Sequence, residues 1–98
     1  MISIGVYKQG EDILIGACDE ELLGNEYEEG KFHLRVDKNF YGGKKINEET
    51  LERYLKGATI ANLVGENCIN IAIKLGLVDQ SCIIRINGIP HAQMVRML

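Results

Sequence analysis

Ile2, Ile4 and Val6 alternate with Ser3, Gly5 and Tyr7, the period-two pattern of a strand with one buried face, and this predicts a strand over Ile2 to Lys8. Gln9-Gly10-Glu11-Asp12 supplies turn chemistry. The continuous apolar run Ile13-Leu14-Ile15-Gly16-Ala17-Cys18 beyond it predicts the second arm of a hairpin, apolar enough for the interior of a sheet. From Asp19 to Gly30 acidic residues surround Leu22-Leu23-Gly24, too short and too glycine-interrupted for a full helix, so one helical turn and a loop are expected. Phe32, Leu34 and Val36 then alternate with Lys31, His33 and Arg35, which predicts a strand with one apolar and one basic face. Asp37 to Lys45, with Tyr41-Gly42-Gly43 inside it, reads as a loop.

The period changes at Asn47. That residue suits an N-cap, Glu48 and Glu49 suit the positive end of a helix dipole, and Leu51, Tyr54, Leu55 and Ala58 share one face, predicting a helix over 48 to 57. Glu49 with Arg53 and Glu52 with Lys56 stand i,i+4 in the favourable order on its exposed side. Thr59 to Val64 is too brief for periodicity to separate a short strand from a buried connector. Over Gly65 to Leu75 the polar residues Glu66, Asn70 and Lys74 form a narrow stripe on an otherwise apolar helix, which Gly76 terminates; it should be the more buried helix. Asn87-Gly88 between Cys82–Ile86 and Ile89 onward predicts a type I′ hairpin, and Pro90 assigns its second arm to a sheet edge. A rival reading places Pro90 in the first turn of a terminal helix over His91 to Met97. These elements give an α+β fold: a mainly antiparallel sheet with two helices packed on one face, in two layers.

Ninety-eight residues with 46% apolar content suit a single domain over 1–98 with one core. The longest apolar stretch, Cys68 to Val78, is broken by Asn70, Lys74 and Gly76 and falls short of the roughly 20 residues of a membrane span. No charged leader precedes an apolar block at the start, so a cytoplasmic protein with no membrane partner is expected. Cys18, Cys68 and Cys82 are odd in number and lack metal-ligand spacing, which argues against a disulfide framework and a zinc site; no metal or cofactor is expected. Cys68 and Cys82 read as inert core thiols, or else as reactive thiols beside a cation. The net charge of −3 is unevenly spread. Residues 11 to 29 hold Glu11, Asp12, Asp19, Glu20, Glu21, Glu26, Glu28 and Glu29 with no base, whereas 30 to 45 hold Lys31, Arg35, Lys38, Lys44 and Lys45 against Asp37 alone. Two such segments either steer partners or face each other.

Two groups of residues carry candidate chemistry. Lys31, Arg35, Lys38, Lys44 and Lys45, interleaved with Phe40 and Tyr41, resemble a modest RNA-binding surface, although an acidic balance opposes strong phosphate affinity and a solvated strand face explains the same pattern. Cys18 and Asp19 end an apolar strand, Asn62 and Glu66 flank the start of the buried helix, and His91 and Gln93 interrupt an apolar sheet face beside Ile84 and Ile86. Convergence of these six side chains would make a ligand pocket or a small catalytic site. Their bland alternatives are a buried thiol, a helix cap, and a satisfied polar pair at the sheet margin.

Gly16-Ala17-Cys18-Asp19-Glu20-Glu21-Leu22-Leu23-Gly24, Phe40-Tyr41-Gly42-Gly43, Ala61-Asn62-Leu63-Val64-Gly65-Glu66 and Ile86-Asn87-Gly88-Ile89-Pro90-His91-Ala92-Gln93 together resemble the archaeal family known as domain of unknown function 424. That resemblance implies an archaeal source, a compact α+β fold, no assigned activity and, through neighbouring genes, an association with translation. It supplies no catalytic residues. The expectation is therefore a noncatalytic binding module with RNA or a ribonucleoprotein as partner, with a small enzyme or small-molecule binder built on the six-residue set as the alternative.

Overall fold

The computed structural model describes residues 1–96. Two long strands, β1 (Ile2–Gln9) and β2 (Asp12–Asp19), form the predicted hairpin, in full register from Gln9 opposite Asp12 to Ile2 opposite Asp19. Gly10, at φ 60°, opens its two-residue turn. After a single 3-10 turn at Glu20–Leu22 the chain forms a second small hairpin, β3 (Glu26–Glu29) and β4 (Phe32–Arg35). A short helix, α1 (Lys38–Tyr41), and strand β5 (Lys44–Ile46) precede helix α2 (Glu48–Gly57). Strand β6 (Ile60–Val64), helix α3 (Glu66–Lys74), and strands β7 (Ile84–Ile86) and β8 (Ile89–Val95) complete the described residues.

Six strands make one sheet in the order β5-β1-β2-β6-β8-β7, antiparallel except where β6 runs parallel to β2. Ile2, Ile4, Ile15, Ala17, Ala61, Leu63, Ala92 and Met94 point to one face and form the main core with α2 and α3. Both helices occupy their expected positions. Asn47 caps α2, its Oδ1 accepting the Thr50 N–H at 2.8 Å, worth about 1 kcal/mol. The guanidinium of Arg96 closes the other end of α2, donating to the Lys56 carbonyl at 2.7 Å. No helix among the described residues is long and apolar enough to cross a membrane.

The second sheet face carries a smaller cluster, in which Cys18, Val64 and Ile86 lie beneath Leu34 and Val36 and beside Tyr41. The β3–β4 hairpin caps this end of the sheet, and the Asn87 N–H donates to Glu29 Oε1 at 2.6 Å, tying it to the β7–β8 turn. Three regions of the chain depart here from the sequence expectation. Glu26–Glu29 is a strand rather than a loop, because Glu26 and Glu28 face the bases of β4. His33 lies 3.3 Å from Glu26, and Arg35 lies 3.6 Å from the same carboxylate, so the oppositely charged segments do meet. Residues 37–45, expected as a loop, contain α1 and β5, because Asp37 caps α1 through Asn39 N–H at 2.8 Å. Finally, β8 is interior and β7 is the edge. Pro90 is tolerated there because it lies one residue past the last β6 pairing, Val64 with His91, where its carbonyl still accepts the Gly65 N–H at 2.9 Å. Residues 91–95 are strand rather than terminal helix; Met97, at the end of that rival reading, lies outside the described residues.

Candidate functional site

Consecutive strand residues point to opposite faces, and this divides the six-residue set at once. Asp19 reaches the helix side, where its carboxylate is buried under the start of α3 and accepts the N–H groups of Asn67 and Cys68, each at 3.1 Å. The α3 entry residue Gly65 sits at φ 106°, and a Cβ there would collide with the same carboxylate. Asp19 is thus a helix cap supplied from across the fold. Glu66, on the exposed side of α3, forms a forked ion pair with Arg85 at 2.8 and 3.3 Å, and that hydrogen bond holds its carboxyl below the usual range.

Cys18 points to the other face, buried below the β3–β4 cap. Burial first, and then the Asp19 charge, push its thiol up to about 12, so it stays protonated at neutral pH. Burial likewise raises Cys68, whereas Cys82 is exposed, contrary to its expected place in the core, because Gln80–Cys82 is a surface 3-10 turn. His91 shares the Cys18 face, but Val64 of β6 lies between them. Two strand spacings put them roughly 10 Å apart, too far for a nucleophile and its base. Burial lowers the His91 pKa, so the imidazole is neutral at pH 7. Asn62 and Gln93 are brought together, Gln93 Nε2 donating to Asn62 Oδ1 at 2.8 Å one row further along this face. The six side chains therefore do not share a pocket. Among the described residues no group of His, Cys, Asp and Glu is placed to hold a metal ion.

The basic set is divided as well, although Arg35 and Lys38 line one hollow together. Tyr41 is buried and its hydroxyl is pushed up to about 12 by desolvation, which withdraws the ring from stacking. Arg35 faces Glu26, and Lys38 lies along the backbone of Gly24. Lys31 sits in the β3–β4 turn, which Glu29 ties to the β7–β8 turn at one edge of the six-stranded sheet, whereas Lys44 and Lys45 are on β5, the opposite edge.

A different feature comes from an unmatched strand length. β5 covers only Ile2 to Ile4 of β1, so Gly5–Gln9 pairs with no strand on that side among the described residues. The two-residue turn makes Gln9 with Asp12 a hydrogen-bonded pair, and the Glu20 N–H bond to the Met1 carbonyl continues the same parity. Odd residues of β1 therefore bond β2, and the N–H and C=O groups of Val6 and Lys8 point outward. An open cleft of about 610 Å³ runs along the Ile4–Tyr7 part of this edge, with Val6, Tyr54 and Lys44 on its helix side and Tyr7 and Asn39 on the other. Tyr7 Oη holds the far wall, 2.7 and 2.6 Å from the carbonyl oxygens of Asn39 and Phe40, and its ring stacks on Phe40 at 5.4 Å.

The family model described as "Protein of unknown function (DUF424)" matches residues 7–97. The chain belongs to this DUF424 family. A crystal structure of an uncharacterized conserved protein from Methanopyrus kandleri is similar to it, with a TM-score of 0.75 and 22% identity over 99% of this chain and 95% of that one, a likeness of fold. No curated protein matches. The four stretches that carry the DUF424 resemblance meet in space. Gly16 lies under the Phe40 ring, where a Cβ would stand 2.5 Å from it; Asp19 lies under Gly65; and the Gly65 N–H reaches the Pro90 carbonyl. In this DUF424 protein those residues join β2, α1, α3 and β8, and only Gly42 and Gly43 among them line the cleft.

Proposed function

We propose that the chain is a noncatalytic binding module that takes an extended segment of a partner protein as an added strand on β1. The observation that carries this reading is the outward edge of Gly5–Gln9, which pairs with no strand among the described residues and is bordered over Gly5–Tyr7 by the 610 Å³ cleft. Exposed N–H and C=O groups at Val6 and Lys8 supply ladder bonds to any sequence, and the apolar surfaces of Val6 and Tyr54 add selectivity. Catalysis is disfavoured by the chemistry of the candidate groups, since Cys18 is a buried protonated thiol, Asp19 caps α3 and Glu66 pairs with Arg85. RNA binding is disfavoured by the separation of Lys31 from Lys44 and Lys45.

The test is a screen of immobilised random octapeptides followed by amide chemical-shift mapping with a retained peptide. Shifts are expected to centre on Gly5–Gln9, with slowed hydrogen exchange at Val6 and Lys8. Val6→Pro removes an outward N–H without touching the bonds to β2, so it should abolish binding while the circular dichroism spectrum persists. Retention of no peptide, or shifts centred elsewhere, would overturn the proposal.

A further inference from the structure

Resting on that edge reading, we infer that the added strand is the carboxy-terminal tail of its partner, the terminal α-carboxylate held where the cleft closes at Gly43 and Lys44. Direction is the first reason. β5 is antiparallel to β1 and begins at Lys44, opposite Ile4. A segment antiparallel to β1 along Val6 and Lys8 runs on the same line as β5 and in the same sense, so its carboxy-terminal end arrives at the start of β5.

That end of the groove is shut. Gly42 and Gly43 descend from α1 against the edge of β1, so closely that a Cβ on Gly43 would stand 2.5 Å from the Ile4 carbonyl oxygen. An internal segment would have to turn out sharply there, whereas a terminus simply stops. Charge is the third reason. The Lys44 ammonium is seated 4.9 Å from the centroid of the Tyr54 ring, on the cleft wall at this same end, and no carboxylate pairs with it among the described residues. A carboxylate arriving there meets a positive charge; the ammonium terminus of a parallel strand would be repelled. Continuing the β5 register places one ligand residue opposite Val6, its side chain on the same face, next to the Tyr54 ring. Val6 is 43% exposed, so an apolar side chain at that ligand position gains burial.

The experiment uses the full-length protein and two random octapeptide libraries, identical except that one ends in a carboxylate and the other in an amide, with the best binders compared by fluorescence anisotropy. Amidation should weaken the selected peptides by about tenfold, the scale of one charge-assisted hydrogen bond. Lys44→Gln should weaken the acid by a similar factor and leave the amide unchanged. Equal binding of acid and amide at the β1 edge would overturn the carboxylate inference and leave the edge reading standing. Absence of binding by both libraries would overturn the two together. Concentration-dependent self-association with shifts at Val6 and Lys8 would assign the edge to a second copy and overturn the inference as well.

Discussion

Replacing Asp19 by alanine removes two charge-assisted hydrogen bonds, those from the Asn67 and Cys68 N–H groups, each 3.1 Å long. The two donors differ in their access to water. Asn67 is exposed and its N–H can turn to solvent, so its loss resembles an ordinary N-cap deletion of about 1 kcal/mol. Cys68 is fully buried, and its orphaned N–H adds a desolvation penalty of about 1–3 kcal/mol. Together these predict a loss of about 2–4 kcal/mol, a large share of the stability of a small domain. For a protein of this length that lowers the Tm by roughly 8 °C or more. Asp19→Asn keeps one accepting oxygen and loses the charge that complements the helix dipole, so it should fall between wild type and alanine, about 1–2 kcal/mol down. Urea unfolding followed by circular dichroism, with the m-value unchanged across the series, is the assay. An alanine variant within about 0.5 kcal/mol of wild type, or an asparagine variant as unstable as alanine, would refute the assignment of Asp19 as the α3 cap.

Gly16→Ala should cost about 1–3 kcal/mol, because its Cβ would stand 2.5 Å from the Phe40 ring, and the cost should largely vanish in a Phe40→Ala background when both are measured by urea unfolding. Titration of the native protein with a thiol reagent at pH 8 should modify Cys82 alone, with Cys18 and Cys68 reacting only in denaturant; fast native labelling of either would contradict their burial. His91 has a folded pKa below its unfolded value of about 6.5, so the unfolded chain binds the proton more readily. Stability from this group is therefore full above about pH 6.5 and declines as pH falls below it. His91→Gln should flatten that part of a stability-versus-pH curve, and an unchanged slope would reject burial as the cause.

Elements with a strong period or an explicit terminus were legible in the sequence. The β1–β2 hairpin, α2 with its Asn47 cap, α3 with its Gly76 stop, and the Asn87-Gly88 turn, at φ 52° and 83°, lie where pattern and turn chemistry put them. What failed was short and depended on partners. Glu-Tyr-Glu-Glu has no apolar alternation of its own and is a strand because Arg35 and His33 stand opposite. β5 is three residues long and owes its state to pairing with Ile2–Ile4. Pro90 misled because a missing N–H excludes one ladder bond, not a whole interior strand, and the fold places that gap where β6 gives way to α3.

The same distinction decides how much of the site could be read. Residue type alone grouped Cys18 with Asp19, yet strand periodicity forbids it, since neighbours on one strand face opposite layers; applied strictly to Asp19, the period-two rule would have predicted a buried carboxylate needing donors, and the start of α3 supplies them. The β1 edge has no such intrinsic mark. Ile2 to Lys8 alternates in the same way whether or not a strand lies beside it, so the openness of its second half is fixed elsewhere, by where β5 begins. That point is set by Gly42-Gly43, whose missing Cβ atoms let the backbone leave α1 and close on the Ile4 carbonyl within two residues. Gly43→Ala puts a methyl where only 2.5 Å is open, so it should disturb the β5 junction, slow-exchanging amides at Ile4 and Lys44 becoming fast while those of β2 stay protected. Protection unchanged at Ile4 and Lys44 would mean that β5 is placed by α2 and not by the glycines, and that the closed end of the cleft is not their doing.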